Sequence, residues 1–169
     1  MIDESFHIPV LTEEVIQYLS VKSDGNYLDA TAGFGGHSTV IIEQLVNGSL
    51  VATDQDPEAI SYLKLKFKSE KRISIQQARF SELDKLFSSK DFDGILADIG
   101  VSSYQLNTAE RGFSFMKDGP LDMRMNQNIG EDASSWLSKA SENEISRIVW
   151  KYGEEKKAKR IAKAIIESR

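Results

Sequence analysis

Short apolar segments alternate with amphipathic segments throughout residues 26–100, and few folds accommodate such a rhythm. Asp56 followed by Pro57 predicts the N-terminus of a helix within it. Strands alternating with helices at this spacing predict an α/β fold with a parallel sheet, in which the fourth strand is apolar at its centre as a buried parallel strand is. The four segments with the length and composition of strands are NYLDA, GSLVATD, RISIQQA and DFDGILADIG.

The pattern changes after residue 100. Residues 101–132 show no clear period, and a loop of that length in a compact domain is usually functional or disordered. Only helical segments follow it: ASSWLSKA, SENEISRIVWKYG and EEKKAKRIAKAIIESR. The sequence therefore predicts two parts, residues 1–105 and residues 106–169.

A glycine-rich loop, TAGFGGHS, follows the first predicted strand. Gly33 and Gly35 fit the dinucleotide fingerprint G-x-G-x-x-G, but Ser38 occupies its third glycine position. Asp29 precedes the loop, and a carboxylate there suits a pyrophosphate poorly. An acid followed by glycines suits a ligand with a cationic end and no phosphate, and S-adenosylmethionine is such a ligand. The alternative is a plain tight turn in which Asp29 accepts hydrogen bonds from the loop amides.

Each later strand also ends near a candidate ligand-binding residue. Asp54 ends the second strand, where an acid accepts hydrogen bonds from ribose hydroxyls in folds of this kind, although it could also be a solvated acid. Phe80 follows the third strand and could lie on an adenine, but taken alone a core position is its simpler interpretation. Asp98 ends the fourth strand. Because the carboxyl ends of parallel strands meet at one edge, we expect these residues to converge there.

Composition excludes several classes of site. The chain has no cysteine and two histidines, His7 and His37, so disulfides are excluded and no metal site is expected. No apolar run reaches membrane-spanning length, and the first ten residues lack the basic start of a targeting peptide, so we expect a cytoplasmic protein. The net charge is −5, but residues 151–169 hold seven basic and three acidic residues. The local net charge of +4 at this end could bind a polyanion.

Eight short segments together resemble one known family: DATAGFGGHS, DQDP, ARFSEL, DIGVSS, ERGFSF, DGPLDMRM and YGEEKKAKRIAKAI, with the QL dipeptide after the fourth strand. The resemblance is to the bacterial small-subunit ribosomal RNA cytosine-N4 methyltransferases called RsmH or MraW, and it runs from about His7 to the last residue. It implies a class I, Rossmann-like methyltransferase sheet with an inserted helical domain. It also implies methyl transfer from S-adenosylmethionine to a cytidine N4 in the decoding region. Residues 1–105 would then be the cofactor-binding core, and residues 106–169 a substrate loop with part of the RNA-binding helical insertion.

The resemblance also implies a set of site residues. It adds His37 and Gln105 to the residues reached above, and it makes Asp98 a candidate both for the cofactor and for activating the cytosine amino group. The cofactor set that it implies is Gly35, Gly36, His37, Asp54, Phe80, Asp98 and Gln105.

Two departures from the family are visible. Tyr104 stands where the family usually has proline, and tyrosine lacks the fixed φ of proline, so we expect a less rigid loop around Gln105. Family members also continue well beyond this point with further strands, so we expect an incomplete sheet and part of an inserted helical domain. Besides the methyltransferase, a non-catalytic RNA-binding or cofactor-binding remnant and a nicotinamide-dependent oxidoreductase remain alternatives. Asp29 and Ser38 argue against the oxidoreductase.

Overall fold

The computed structural model describes residues 11–169; residues 1–10, and with them His7 and the start of the expected resemblance, lie outside the described residues. The chain divides into two compact units, Met1–Asn107 and Thr108–Arg169. The boundary expected from the sequence lies between residues 105 and 106, and the roles expected for the two parts stay predictions. Each unit is described by itself.

The first unit is built on a four-stranded sheet in which every pairing is parallel. The strand order is β3-β2-β1-β4, so the chain starts in the middle of the sheet and moves outward to both sides. This confirms the α/β fold with a parallel sheet. The strands are β1 (Asn26–Asp29), β2 (Ser49–Asp54), β3 (Ile73–Gln77) and β4 (Gly94–Leu96).

Helices connect the strands of this unit as the alternation predicts. Asp56 caps α3 by accepting a hydrogen bond from the Glu58 amide, and Pro57 is the first helical residue, as expected. A short 3₁₀ turn, Phe80–Glu82, precedes α4. The helices are α1 (Thr12–Leu19), α2 (Gly36–Gln44), α3 (Pro57–Lys66), α4 (Leu83–Leu86) and α5 (Ser103–Asn107).

Both faces of the sheet contribute to the core because successive residues of a strand point to opposite faces. Tyr27 and Leu50 pack on one face with Ile41, Ile42 and Leu45 of the α2 region. The opposite face is covered by partly buried side chains near α4: Leu28, Ala30 and Val51 pack there with Leu83, Phe87 and Phe92. The carboxyl ends of the strands are left at one edge, where the candidate residues follow.

The fourth strand is shorter and more exposed than the sequence predicts. Among the described residues β4 pairs only with β1, and Ile95 in its centre is 60% exposed. The position of β4 at the edge agrees with the incomplete sheet expected from the sequence, whereas its apolar centre alone predicts a buried strand, because apolar content does not tell an edge strand from a central one. Ile99, just beyond the strand, is 76% exposed, so an apolar sheet edge faces solvent.

The second unit contains three helices: α6 (Ala133–Lys139), α7 (Glu142–Gly153) and α8 (Ala158–Glu167). Ala140, Ile145 and Ala162 form its buried centre. Ser141 and Glu144 make a capping box at the start of α7, each accepting a hydrogen bond from the other's backbone amide. The residues before α6 belong to the segment expected to be an irregular loop, and buried Arg111 holds them together.

Arg111 and Gly112 organise the segment before α6. Arg111 is 2% exposed and donates hydrogen bonds to the carbonyls of Arg124 (3.2 Å) and Met125 (2.7 Å). Gly112 has a φ of 72°, and a Cβ there would lie 2.5 Å from the carbonyl oxygen of Pro120. The motifs ERGFSF and DGPLDMRM thus pack against each other, which gives both a structural role.

In residues 11–169 no helix combines the length and the apolar character that a bilayer crossing requires.

Candidate functional site

The glycine loop between β1 and α2 is shaped by backbone conformation and by close packing. Gly33 and Gly35 have φ values of 51° and 78°, a region that glycine adopts without strain. A Cβ on Gly35 would lie 2.7 Å from Leu63 and 2.9 Å from the Phe67 ring. The absence of a side chain at position 35 lets the loop pack on α3. Position 35 therefore requires glycine because of packing within the unit.

The carboxylate of Asp29 points into the protein. It is 1% exposed, and it accepts hydrogen bonds from the Ser38 hydroxyl (2.7 Å) and the Thr31 amide (3.3 Å). Burial raises the pKa of Asp29 to about 6. The expectation that this acid faces a cationic ligand is not met, and the alternative, in which it holds the loop, describes its contacts. Ser38, at the third glycine position of the fingerprint, supplies one of them.

Asp54 ties the glycine loop to the end of β2. Its Oδ2 accepts a hydrogen bond from the Gly33 amide (2.8 Å), and its Oδ1 accepts one from the Asp56 amide (2.9 Å). Burial raises its pKa, and the hydrogen bonds from Asp56 and Gly33 oppose that rise. The side chain is only partly buried, and each carboxylate oxygen has a second lone pair. Asp54 can therefore accept further hydrogen bonds from a ligand hydroxyl.

Phe80 presents an apolar ring to solvent at the end of β3. It is 56% exposed and begins the 3₁₀ turn after the strand. The simpler interpretation of Phe80 as a core residue is therefore wrong. An exposed ring at a strand end is available to a flat aromatic ligand.

Asp98 and His37 lie next to each other. The Asp98 amide donates to the Thr31 hydroxyl (2.7 Å), which fixes the backbone after β4 to the loop after β1. The carboxylate of Asp98 is 58% exposed, and its Oδ2 lies 3.6 Å from Nε2 of His37. His37 is 8% exposed, and its buried Nδ1 has no hydrogen-bond partner in the described structure. Protein atoms cover that nitrogen, and Nε2 is the ring nitrogen that lies beside Asp98.

Gln105 is also buried, and both ends of its amide are engaged. Its Oε1 accepts a hydrogen bond from the Ser102 amide (3.0 Å), and its Nε2 donates to Oδ2 of Asp56 (3.0 Å). Because the Asp56 amide also donates to Asp54, the structure connects Gln105 to Asp54 through Asp56. The sequence predicted Asp56 only as a helix cap and indicated no structural role for Thr31. The two acids in DQD were the one signal in the sequence for the additional role of Asp56.

The candidate residues therefore meet at one edge of the first unit. The convergence expected from the strand ends is seen for Asp54, Asp98 and the glycine loop, which are joined by direct hydrogen bonds through Gly33 and Thr31. Phe80 follows β3, whose partner strand β2 ends at Asp54. The edge offers a hydroxyl acceptor in Asp54, an exposed aromatic ring in Phe80 and an exposed carboxylate in Asp98. These groups fit a nucleoside with a polar tail.

Comparison with known proteins gives a family and similar relatives. A model of the MraW methylase family matches residues 4–169. The ribosomal RNA small subunit methyltransferase H of Xylella fastidiosa (strain M12) is 47% identical over 164 residues, which cover 96% of this chain and 52% of that protein. The protein of the same description from Xanthomonas euvesicatoria pv. vesicatoria (strain 85-10) is 48% identical over 96% of this chain and 49% of its own length. The chain spans about half the length of these curated relatives.

Among solved structures, a SAM-dependent O-methyltransferase from Thermotoga maritima aligns with a TM-score of 0.43 and 19% identity, over 52% of this chain and 33% of that one. That likeness is weak, and the fold follows instead from the sheet order and from the match to the family.

Proposed function

Because this chain belongs to the MraW methylase family, we propose that it takes part in S-adenosylmethionine-dependent methylation of a cytidine N4 in small-subunit ribosomal RNA. The observation that carries the proposal is the meeting of the family's motif residues at one sheet edge. Asp54 and the glycine loop share a hydrogen bond there, and Asp98 lies beside His37. The chain spans about half the length of these relatives, so the complete activity is part of the proposal.

The residues at the edge fit the cofactor in kind. Asp54 would accept hydrogen bonds from ribose hydroxyls, and Phe80 would lie near the adenine. The Nε2 atom of His37 lies beside the exposed carboxylate of Asp98, which suits a shared contact with a polar group of the ligand. When bound, S-adenosylmethionine supplies an electrophilic methyl group on a sulfonium. The set proposed to hold it is Gly35, Gly36, His37, Asp54, Phe80, Asp98 and Gln105.

Asp98 is the proposed group for the acceptor nitrogen. The amino nitrogen of cytosine is a poor nucleophile because its lone pair is delocalised into the ring. The Asp98 carboxylate is exposed while its backbone is fixed by Thr31, so it could accept a hydrogen bond from the amino group at a defined place. It would take up positive charge that develops on the nitrogen and receive the proton that leaves it.

The proposed partner is the RNA of the small ribosomal subunit. Four exposed cations, Lys156, Lys157, Lys159 and Arg160, cluster at the start of α8, in a chain end whose net charge is +4. Such a cluster suits phosphate contacts. A protein that modifies ribosomal RNA works where ribosomes assemble, so we expect a cytoplasmic location.

A second function, binding of the cofactor without catalysis, is separated from the methyltransferase by experiment. Isothermal titration with S-adenosylmethionine and with NAD tests the ligand, and we expect binding of the first alone. Incubation with small subunits that lack the methyl group, followed by nuclease digestion and mass spectrometry, tests transfer. Formation of N4-methylcytidine supports the methyltransferase. Binding without transfer favours the second function, and tighter binding of NAD would contradict both.

A further inference from the structure

The short helix α5 carries Gln105, and the structure shows how that helix is held. Gln105 is 5% exposed, so its amide is enclosed by protein groups. Ser102 makes two hydrogen bonds with Gln105. The backbone amide of Ser102 donates to the side-chain Oε1 of Gln105 (3.0 Å), and the backbone amide of Gln105 donates to the Ser102 hydroxyl (3.1 Å). These bonds are local, because the two residues are three positions apart in the chain. They do not by themselves attach α5 to the rest of the unit.

Asp56 supplies that attachment. It is 2% exposed, and its Oδ2 accepts the hydrogen bond from Nε2 of Gln105 (3.0 Å) across 49 residues of sequence. Its Oδ1 caps α3 through the Glu58 amide (3.0 Å), and its own amide donates to Asp54 (2.9 Å). One residue therefore joins the turn after β2, the start of α3 and the helix that carries Gln105.

The carboxylate also decides which way the Gln105 amide points. An ionised aspartate only accepts hydrogen bonds, so it selects the NH₂ end of the glutamine, and the oxygen end is left for the Ser102 amide. With the amide reversed, two acceptors would face each other at Asp56 and two donors at Ser102. The buried position makes such unsatisfied pairs costly. Asp56 thus fixes both the place and the orientation of Gln105.

Tyr104 provides a second contact between α5 and the glycine loop. Its ring centroid lies 4.8 Å from that of Phe34, and the Phe34 ring lies 5.2 Å from that of Tyr62 on α3. Phe34 is 7% exposed, so this aromatic cluster is part of the unit's interior. The sequence led us to expect a less rigid loop at Tyr104, because tyrosine does not fix φ. The ring instead anchors the helix by packing.

We propose that Asp56 is a positioning residue that holds α5 against the unit and presents Gln105 and Asp54 in one fixed arrangement before any ligand binds. Its effect on the cofactor rests on the proposed function, whereas its effect on α5 is a property of the chain alone. A site arranged in advance binds its ligand with less loss of conformational entropy.

Asp56→Asn is the informative change. Asparagine keeps an oxygen for the cap of α3 but places an NH₂ group against the NH₂ group of Gln105. We expect the Ser102 amide to exchange with solvent at least tenfold faster in the free protein. We also expect affinity for S-adenosylmethionine to fall at least tenfold. Amide exchange followed by NMR and titration calorimetry measure the two effects.

The double variant Asp56→Asn/Gln105→Glu is designed to rescue the contact. The asparagine at 56 can donate to the carboxylate introduced at 105, whose other oxygen can accept from the Ser102 amide. The net charge is unchanged. We expect Ser102 exchange to return to within about threefold of the wild-type rate. Asp132→Asn is the matched control, because Asp132 caps α6 through the Ser135 amide (2.7 Å), and it should leave both measurements unchanged.

The outcomes separate this proposal from the proposed function. Wild-type Ser102 exchange in Asp56→Asn, or a double variant no better than the single one, would overturn the positioning role. If the wild type does not bind S-adenosylmethionine, the proposed function fails; the exchange rates are measured without ligand and still decide whether Asp56 holds α5. Faster exchange with unchanged affinity would overturn the claim that this arrangement serves the cofactor.

Discussion

Asp54 has two structural partners as well as a proposed ligand. Its carboxylate accepts hydrogen bonds from the Gly33 and Asp56 amides, so replacing it affects the glycine loop as well as the ribose contacts. The sequence predicted the ligand contact from the position of Asp54 at the end of a strand. It could not predict the two amides, because they depend on the folded arrangement of the loop.

Asp54→Ala should lower the affinity for S-adenosylmethionine by at least tenfold. Each charge-assisted hydrogen bond to a ribose hydroxyl is worth roughly 1.5–3 kcal/mol, so the loss of even one corresponds to at least tenfold. The melting temperature should also fall, since the Gly33 amide is left without its acceptor. Asp54→Asn keeps one acceptor oxygen and should lie between the two proteins in both calorimetry and thermal unfolding. Unchanged affinity in Asp54→Ala would remove Asp54 from the site.

Gly35 tolerates no side chain, both because of packing within the unit and because of its backbone angle. The added Cβ would strike Leu63 and Phe67, and its φ of 78° is strained for other residues. Gly35→Val should therefore abolish binding and also unfold at a lower temperature. Gly130→Val separates the two causes, because Gly130 has a φ of 79° with open space around it, so the same substitution there adds the strain without the clash. We expect circular dichroism melts to show a much larger destabilisation for Gly35→Val; equal effects would contradict the packing argument.

Asp29 should give stability a particular dependence on pH. Its pKa is about 6 in the folded protein against a usual value of 3.8, so between these values the folded state holds a proton that the unfolded state has released. Raising the pH through that window therefore lowers stability, by about 3 kcal/mol in total.

Asp29→Asn should remove this contribution from the pH profile. Urea unfolding followed by circular dichroism at about pH 4, 5, 6 and 7 measures the difference in slope from the wild type. Asp24→Asn, a change at an exposed acid in the preceding loop, should leave the wild-type slope. An Asp29 variant whose slope matches the wild type would contradict the assignment.

At the level of elements, the alternation of the sequence predicted all four strands and their parallel pairing. It could not predict that β4 has only three residues, although the expected incomplete sheet already implied an unpaired apolar edge. Strand propensity follows from side-chain type, whereas the position of a strand in the sheet depends on which other strands are present. The sequence predicted that residues 101–132 have no regular period, but it could not predict their packing, because that order comes from Arg111 and from contacts between two motifs.

The exposed edge of β4 should make the chain self-associate. An unpaired strand with an exposed apolar residue is a template for pairing with another copy. Analytical ultracentrifugation should show a concentration-dependent rise in mass, and Ile95→Lys should reduce it. Ile129→Lys is the control, since Ile129 is 52% exposed in the second unit. A wild-type monomer at all concentrations would contradict the prediction.

The basic start of α8 should bind RNA. Changing Lys156, Lys157, Lys159 and Arg160 to Glu should weaken binding to small-subunit RNA. It should also reduce the log–log salt slope by about 0.7 to 0.9 for each phosphate that is no longer neutralised. Affinity for S-adenosylmethionine should not change, because the residues proposed to bind it belong to the other unit.

A charge-matched control lies in the first unit. Lys64, Lys68, Lys71 and Lys85 are exposed, and changing them to Glu alters the net charge by the same amount. RNA titrations at several salt concentrations should show a smaller effect for this set. An unchanged slope in the α8 variant would mean that its basic face is only solvated and that RNA binds elsewhere.

For the whole molecule, the residues proposed for the cofactor all lie in Met1–Asn107, and the basic helix proposed for RNA lies in Thr108–Arg169. The sequence indicated this division through the change of pattern after residue 100. The motifs predicted which residues are candidates for the site, but the inward direction of Asp29 and the hydrogen bond from Gln105 to Asp56 are visible only in the tertiary structure.

The division into two units also has an optical consequence. Both tryptophans, Trp136 and Trp150, belong to the second unit, whereas four of the five tyrosines belong to the first. Excitation at the red edge of the absorption band therefore reports on the helical unit alone. A change in tryptophan emission when S-adenosylmethionine is added would mean that the second unit senses a ligand whose proposed contacts are all in the first.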